Sequence, residues 1–327
     1  MGRVIFVVLL SLLVFSCVVS VEGSEKVYTL RASTNLSKNE TVGRALQYFV
    51  DLVNERSGGR IKATAYFGAE LGTQKEQVEM CRTGSLEMVV AAPGTGLGAW
   101  VPQLVLFEFP FLFKDNAHYR RVLAAMTEEV TRLVEPYGFI AVAGQSQGVR
   151  NILTIEPVYS LADMKGKKMR GPNPIYIRMF ECLGAAGVTT DWNEIYTALQ
   201  TKMIDGMEAS PSSIYRMRFH EVAKNMTMTG HIIACVYYFF NKSWLNGLPE
   251  DLRKIVLDCA EEAAAYQAKI DDEDQEKALE ALVREGVNII ELKDREEWVK
   301  ACSGMLDEYR AKGKEWSDFL DKLLSVD

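Results

Sequence analysis

The sequence has few of the residues that metal centres and redox sites require. It contains 6 cysteines and 3 histidines among 327 residues. No two cysteines form a CxxC pair, and no histidine has a second ligand at metal-binding spacing. Five cysteines follow residue 23, an odd number, and most are expected to be small buried hydrophobic residues. We therefore expect no metal ion and no cofactor.

Long apolar runs are missing after the N-terminus, so no later segment is predicted to cross a membrane. The early run from Val4 to Phe15 follows a single cation and is too short for a span. This pattern predicts a secretory signal peptide over residues 1–23, cleaved after Gly23. An alternative stays open, in which Cys17 becomes the lipidated N-terminal residue of a lipoprotein. In both cases the mature chain is expected in the periplasm.

An excess of positive charge is missing as well. The chain has 37 lysines and arginines against 44 aspartates and glutamates, a formal net charge of −7. This balance argues against binding to nucleic acid or to anionic lipid, because both attract strongly basic proteins. An anionic ligand would have to be bound by local cations.

What the sequence does contain is a regular alternation of strand and helix patterns. A mature chain of about 300 residues is long enough for two lobes with separate cores. The alternation predicts an open, mostly parallel sheet that binds ligands at its strand ends, where Asn35 follows the first strand. The first predicted elements are strand 28–34, helix 41–56, strand 61–67, helix 74–81 and strand 86–92.

An arginine, an aromatic residue and a predicted helix start lie close together in the middle of the chain. Arg170 ends a basic strand, and Trp192 follows Asp191, which is predicted to cap a helix with Glu194 in the capping-box position. Such a group can form a carboxylate pocket, because a guanidinium offers two parallel donors and a helix start offers N–H groups. The alternative is a solvated arginine, a core tryptophan and an ordinary helix cap.

The C-terminal third predicts long helices. Pro249 to Arg284 contains no glycine, and apolar residues recur at helical spacing. A helix of about 35 residues is roughly 50 Å long, which is too long for one lobe. We therefore expect it to run along both lobes. The segment Arg295 to Leu324 is also predicted to be helical and to pack on the second lobe.

A serine hydrolase is the alternative function from another class. Gly144 to Gly148 reads GQSQG, which matches the G-x-S-x-G elbow, and His220 and His231 follow in hydrolase order. The elbow needs a helix directly after the serine, whereas Val149 to Ile155 predicts a strand. This departure argues against the hydrolase.

Short motifs run through nearly the whole mature chain. They are Glu70-Leu71-Gly72, Thr83 to Met88, Phe109 to Phe113, the strand ending at Arg170, Leu183-Gly184-Ala185, Trp192 to Gln200, Ile204 to Glu208 and Thr229-Gly230-His231. Each motif is weak alone. Their combination and order resemble the substrate-binding proteins of tripartite ATP-independent periplasmic (TRAP) transporters.

The resemblance implies an α/β, two-lobed periplasmic-binding-protein fold of type II-like architecture, with mostly parallel sheets flanked by helices and a long lobe-spanning helix. Lobe I would comprise residues 24–148 and 232–275, and lobe II residues 149–231 and 276–327. The function implied is capture of a small organic acid by lobe closure and its delivery to TRAP permease subunits in the membrane. No catalysis is implied, and we expect a monomer. A ligand-binding protein for a chemoreceptor is a further alternative.

The resemblance also implies roles for particular residues. Arg170 would bind the ligand carboxylate, Arg150 would support it, and Asn35 would donate hydrogen bonds. Trp192 would pack on the apolar part of the ligand. Three more residues complete the predicted ligand-binding set: Gln74, Asn193 and Ser210. At Ser210 the chain departs from the family pattern, which often has asparagine before the proline, so the kind of organic acid stays open.

Overall fold

The computed structural model describes residues 26–68 and 70–327. The predicted signal peptide, its cleavage after Gly23 and the lipidated Cys17 lie outside the described residues. In the described part of the chain, no helix has the length and apolarity needed to cross a membrane.

Strands and helices alternate along the described chain, as the sequence patterns predict. The strands are β1 (Tyr28–Thr34), β2 (Ile61–Tyr66), β3 (Met88–Ala91), β4 (Phe139–Thr154), β5 (Lys168–Arg170), β6 (Ala186–Val188), β7 (Gly206–Ala209), β8 (Asn225–Asn241) and β9 (Asn288–Glu291). The α-helices are α1 (Thr41–Arg56), α2 (Gln74–Thr83), α3 (Pro93–Leu97), α4 (Asn116–Val134), α5 (Pro174–Cys182), α6 (Ile195–Gln200), α7 (Pro211–Arg216), α8 (Lys242–Asn246), α9 (Glu250–Arg284), α10 (Arg295–Cys302), α11 (Met305–Arg310) and α12 (Lys314–Leu324).

The strands of the described chain form one mixed sheet of nine strands, in the order β2-β1-β3-β8-β4-β7-β5-β6, with β9 beside β8. The outer strands are parallel: β1 pairs with β2 and β3, and β5 pairs with β6 and β7. The two longest strands, β4 and β8, pair antiparallel in the centre. They join the part of the sheet built from the N-terminal strands to the part built from β5, β6 and β7.

Three apolar clusters form the core of the described chain. One lies around α1, β1 and the first half of α9, and a second lies around α6, α7 and the end of α9. The largest cluster extends from α4 and the 3-10 helix Pro102–Glu108 to α5 and the C-terminal helices. The two smaller clusters therefore belong to opposite ends of the sheet, whereas the largest one reaches across it.

The long helix α9 spans 35 residues, as predicted. Near its middle, Asp274 accepts hydrogen bonds from Arg44 on α1 at 3.3 Å and from Arg216 on α7 at 2.7 Å. One carboxylate thus binds cations from α1 and from α7, because α9 packs against both helices.

The C-terminal segment forms three helices, and it contacts elements on both sides. The ring of Phe319 on α12 packs edge-on against Phe107, with centroids 5.6 Å apart. Glu308 on α11 accepts a hydrogen bond from Arg178 on α5 at 2.8 Å. The segment therefore packs on α5 and also on residues that precede β4.

Candidate functional site

A cavity lies at the ends of the strands, where the two parts of the sheet face each other. Before β4, its wall is formed by Asn35, Leu36, Thr73, Gln74, Lys75, Ala92, Thr95 and Glu108. After the start of β4, it is formed by Gln147, Arg150, Arg170, Pro172, Tyr176, residues 189–193 and Val236. Six of the seven residues predicted to bind ligand line this cavity: Asn35, Gln74, Arg150, Arg170, Trp192 and Asn193.

Arg170 is the last residue of β5 and only 4% exposed. Its Nε and Nη2 donate to the carbonyl oxygen of Thr190 at 3.1 and 3.0 Å. Among the described residues, no carboxylate lies within ion-pair distance of its guanidinium. Burial lowers the pKa of Arg170 to about 10, so the side chain is still charged at neutral pH. A buried cation without a counterion favours an anion beside it.

Arg150 on β4 has a different environment, because it faces Glu208 on β7 across the antiparallel pair. The Arg150 Nε and Nη2 donate to the two carboxylate oxygens of Glu208, and Nη2 also donates to its carbonyl oxygen at 2.7 Å. Burial acts to lower the pKa of Arg150, but the Glu208 carboxylate outweighs it and the pKa rises. This guanidinium lines the cavity while its charge is already paired.

Trp192 is half-buried beside Arg170. The Arg170 guanidinium carbon lies 5.8 Å from the centre of the Trp192 ring, and the ring packs edge-on against Phe219 at 5.3 Å. The indole Nε1 is buried and has no hydrogen-bond partner among the described residues. The ring thus contacts both the Arg170 guanidinium and the apolar core. Trp192 therefore has features of both alternatives that the sequence left open, a pocket wall and a core tryptophan.

The predicted capping box after β6 is wrong. Asp191 precedes a 3-10 helix, Trp192–Glu194, and its side chain makes no cap hydrogen bond. The helix that follows, α6, has only 6 residues. Because a short helix has a small dipole, the positive charge of this wall comes from Arg170 and not from a helix terminus.

The amide side chains of the cavity come from the N-terminal strands and from α2. Asn35 follows β1 and is 8% exposed. Gln74 begins α2, where Thr73 and Glu76 form a capping box. The Gln74 Oε1 accepts a hydrogen bond from the N–H of Ala92 at 3.1 Å. This bond leaves the Gln74 amide nitrogen as a donor.

Ser210 does not line the cavity. The chain turns from β7 into α7 at this residue, and the side chain is 1% exposed. Its hydroxyl has no hydrogen-bond partner among the described residues. Ser210 was predicted to bind ligand, but other side chains form the cavity wall.

Among the cavity residues that the sequence did not indicate, Glu108 and Tyr176 form a buried polar pair. Glu108 ends the 3-10 helix Pro102–Glu108 and is 3% exposed. Tyr176 lies in the first turn of α5, and its hydroxyl donates to Glu108 Oε1 at 3.1 Å. The signal in the sequence was the single acid in the apolar run Leu106 to Phe109, since a carboxylate in such a run is either buried or functional.

The structure does not support the hydrolase alternative. Ser146 lies inside β4, with no helix after it, in a stretch where bulges interrupt the pairing with β8. Its hydroxyl donates to Asn116 Oδ1, and it accepts from the N–H of Gly148 at 3.1 Å. His231 instead has its Nδ1 2.7 Å from the hydroxyl of Thr229. His220 has its Nδ1 3.4 Å from the carbonyl oxygen of Ile214. Among the described residues, neither of these hydrogen bonds of Ser146 involves a histidine.

Comparison with known proteins identifies the family. Residues 32–312 match the family model described as bacterial extracellular solute-binding protein, family 7. The chain is 28% identical over 281 residues to the 2,3-diketo-L-gulonate-binding periplasmic protein YiaO of Escherichia coli, covering 85% of each chain.

Solved structures agree with this assignment. A TRAP periplasmic solute binding protein from Pseudomonas putida, with bound D-glucuronate, has a TM-score of 0.85 and 28% identity, over 91% of this chain and 97% of that one. Another from Desulfovibrio salexigens, with bound orotic acid, has a TM-score of 0.85 and 27% identity, over 92% of this chain and 100% of that one. These likenesses confirm the predicted fold. The chain therefore belongs to family 7 of the bacterial extracellular solute-binding proteins, the substrate-binding proteins of TRAP transporters that its motifs predicted.

Proposed function

We propose that this protein binds a small organic acid in the cavity, with the ligand carboxylate on Arg170. The observation that carries the proposal is the buried guanidinium of Arg170, which faces the cavity and has no carboxylate partner in the described chain. The ligands named for three similar proteins, 2,3-diketo-L-gulonate, D-glucuronate and orotic acid, are all carboxylic acids. This agreement supports an acid as the ligand.

Binding closes two lobes around the acid and presents it to a membrane permease. The division into residues 24–148 with 232–275, and 149–231 with 276–327, places Asn35 and Gln74 on one lobe and Arg170 and Trp192 on the other. A ligand that contacts both sets stabilises the closed arrangement, since contacts made in only one state shift the equilibrium toward it. The protein acts as a monomer in the periplasm, exported by its signal peptide, and it catalyses no reaction.

A ligand screen combined with scattering tests this function. We expect one or more acids from a panel of sugar acids, aliphatic acids and aromatic acids to raise the melting temperature, because binding to the folded state alone stabilises it. Small-angle scattering with a saturating amount of that acid should give a smaller radius of gyration. Neutral amides of the same acids are the control. An acid that stabilises the protein while the radius stays constant would contradict lobe closure.

Replacement of Trp192 by alanine should weaken the binding of the best acid by about 1–3 kcal/mol, because the cavity loses its aromatic wall. Calorimetry measures this change. The matched control is Trp244→Ala, since Trp244 stacks on Phe240 with centroids 6.3 Å apart and does not line the cavity. Equal affinity losses in both variants would show that Trp192 acts only through the core.

A further inference from the structure

The cavity wall also contains a buried acidic side chain. Glu108 is 3% exposed and lines the same cavity. Its Oε2 accepts from Asn173 Nδ2 at 2.6 Å, and its Oε1 accepts from the hydroxyl of Tyr176 at 3.1 Å. Both donors belong to the start of α5, because Asn173 caps that helix with its Oδ1. The carboxyl group is thereby held in a fixed orientation.

The hydrogen-bonding capacity of Glu108 is only half used. A carboxylate has about four acceptor positions, and two are taken here. Among the described residues, no cation forms an ion pair with Glu108, since the nearby Arg150 is paired with Glu208. Burial raises the pKa of Glu108 to about 7, although Arg150 and the two hydrogen bonds act to lower it.

The backbone of Gly94 lies close to the Glu108 carboxylate. Gly94 begins the turn of α3, and a Cβ on it would lie 3.0 Å from Glu108 Oε2 and 2.8 Å from Val105 Cα. A side chain at this position would therefore crowd the carboxyl group. Since Glu108 lines the cavity, a ligand group there is placed to use its remaining acceptor positions.

A ligand that fills this cavity meets both groups. If its carboxylate binds Arg170, as proposed above, another part of it faces Glu108. An apolar group there would leave a buried acceptor without a donor, which costs binding free energy. Sites built to bind a hydroxyl discriminate strongly against analogues that lack it, for the same reason.

On the basis of the proposed function, we infer that the ligand is a hydroxylated acid, and that Glu108 determines specificity by accepting a hydrogen bond from a ligand hydroxyl. A hydroxyl fits better than an ammonium group. It can donate to the ionised carboxylate and can also pair with the protonated acid, whereas an ammonium group needs the ionised form. The neighbouring Asn35, Gln74 and Thr95 are neutral polar side chains, which suit further hydroxyls.

Calorimetry with matched ligands tests this inference. The probes are D-glucuronate and D-galacturonate, compared with tetrahydropyran-2-carboxylate, which keeps the ring and the carboxylate but has no hydroxyls. We expect the wild-type protein to bind at least one uronate at least tenfold more tightly than the unsubstituted acid. Glu108→Gln should lose at least tenfold for that uronate and change little for the unsubstituted acid, so the preference collapses.

Two further variants separate specificity from folding. Glu55→Gln is the matched control, because Glu55 is an exposed acid on α1 that does not line the cavity and loses the same charge. Tyr176→Phe removes one hydrogen bond that orients Glu108 and should reduce the preference partly. If Glu108→Gln does not fold, two measurements still test the role of Glu108. They are the preference of the wild-type protein for a uronate over the unsubstituted acid and the same preference in Tyr176→Phe.

The outcomes distinguish the two proposals. If no carboxylic acid binds, the proposed function fails and this inference with it. If the unsubstituted acid binds as tightly as both uronates, or if Glu108→Gln keeps the wild-type preference, an acid site remains and the role of Glu108 is refuted. Tighter binding of 4-aminobutyrate, which has an ammonium group and no hydroxyl, than of either uronate would replace the hydroxyl by an ammonium group and would likewise overturn the inference.

Discussion

Arg170→Ala is expected to abolish most of the affinity for the acid, with a cost of about 2–5 kcal/mol. This corresponds to a loss of roughly 30-fold to several thousand-fold in the dissociation constant. The reason is that the ligand carboxylate loses the one cavity guanidinium that no carboxylate of the described chain already pairs. Arg170→Lys should also bind clearly more weakly, because an ammonium group lacks the two parallel donors.

The same variant should not weaken the unliganded protein. Burial lowers the pKa of Arg170, which means that the folded state disfavours the charged form. Removal of this charge should leave the melting temperature without ligand unchanged or higher, as expected where a binding residue is held at the expense of stability.

The test is calorimetry with the best acid and with its neutral amide, together with melting curves. Arg132→Ala is the control, since Arg132 lies on the exposed side of α4 and pairs with Glu129 at 2.7 Å. Near wild-type affinity for the acid in folded Arg170→Ala would refute the central role of this residue.

Glu208→Ala should destabilise the fold by about 3–5 kcal/mol, which is the second large effect. Glu208 is completely buried, and both of its carboxylate oxygens accept from Arg150. The variant leaves the Arg150 guanidinium buried without a counterion, and breaking a buried pair on one side is strongly destabilising. Arg150→Ala should likewise reduce stability more than it reduces ligand affinity, because its charge is already paired.

Urea unfolding measures the loss of stability in Glu208→Ala, and two further variants are compared with it. Glu181→Ala removes an exposed partner of Arg178 and should cost at most about 1 kcal/mol. The double variant Arg150→Met with Glu208→Leu should recover much of the loss, because an apolar pair of similar volume needs no counterion. If Glu208→Ala unfolds at the wild-type urea concentration, the pair does not hold β4 and β7 together.

Local patterns predicted much of this architecture. The 3.6-residue repeat gave α9 its length, and the alternating strands placed Asn35 at a strand end. These predictions succeeded because helix length and strand direction depend on neighbouring residues. The capping box at Asp191 failed because Glu194 and Asp191 had the right spacing but the chain adopts a 3-10 turn there.

The sequence by itself determined the family, the α/β class and the cluster around Arg170 and Trp192, because each rests on residues that are close along the chain. Only the tertiary structure decided which of the two cavity arginines has no carboxylate partner among the described residues. Arg150 and Glu208 are 58 residues apart, and they meet because β4 and β7 pair antiparallel. In the same way Glu108 meets Tyr176 over 68 residues through the packing of α5. The counterion of a buried charge depends on strand register and packing, and no local pattern contains that information.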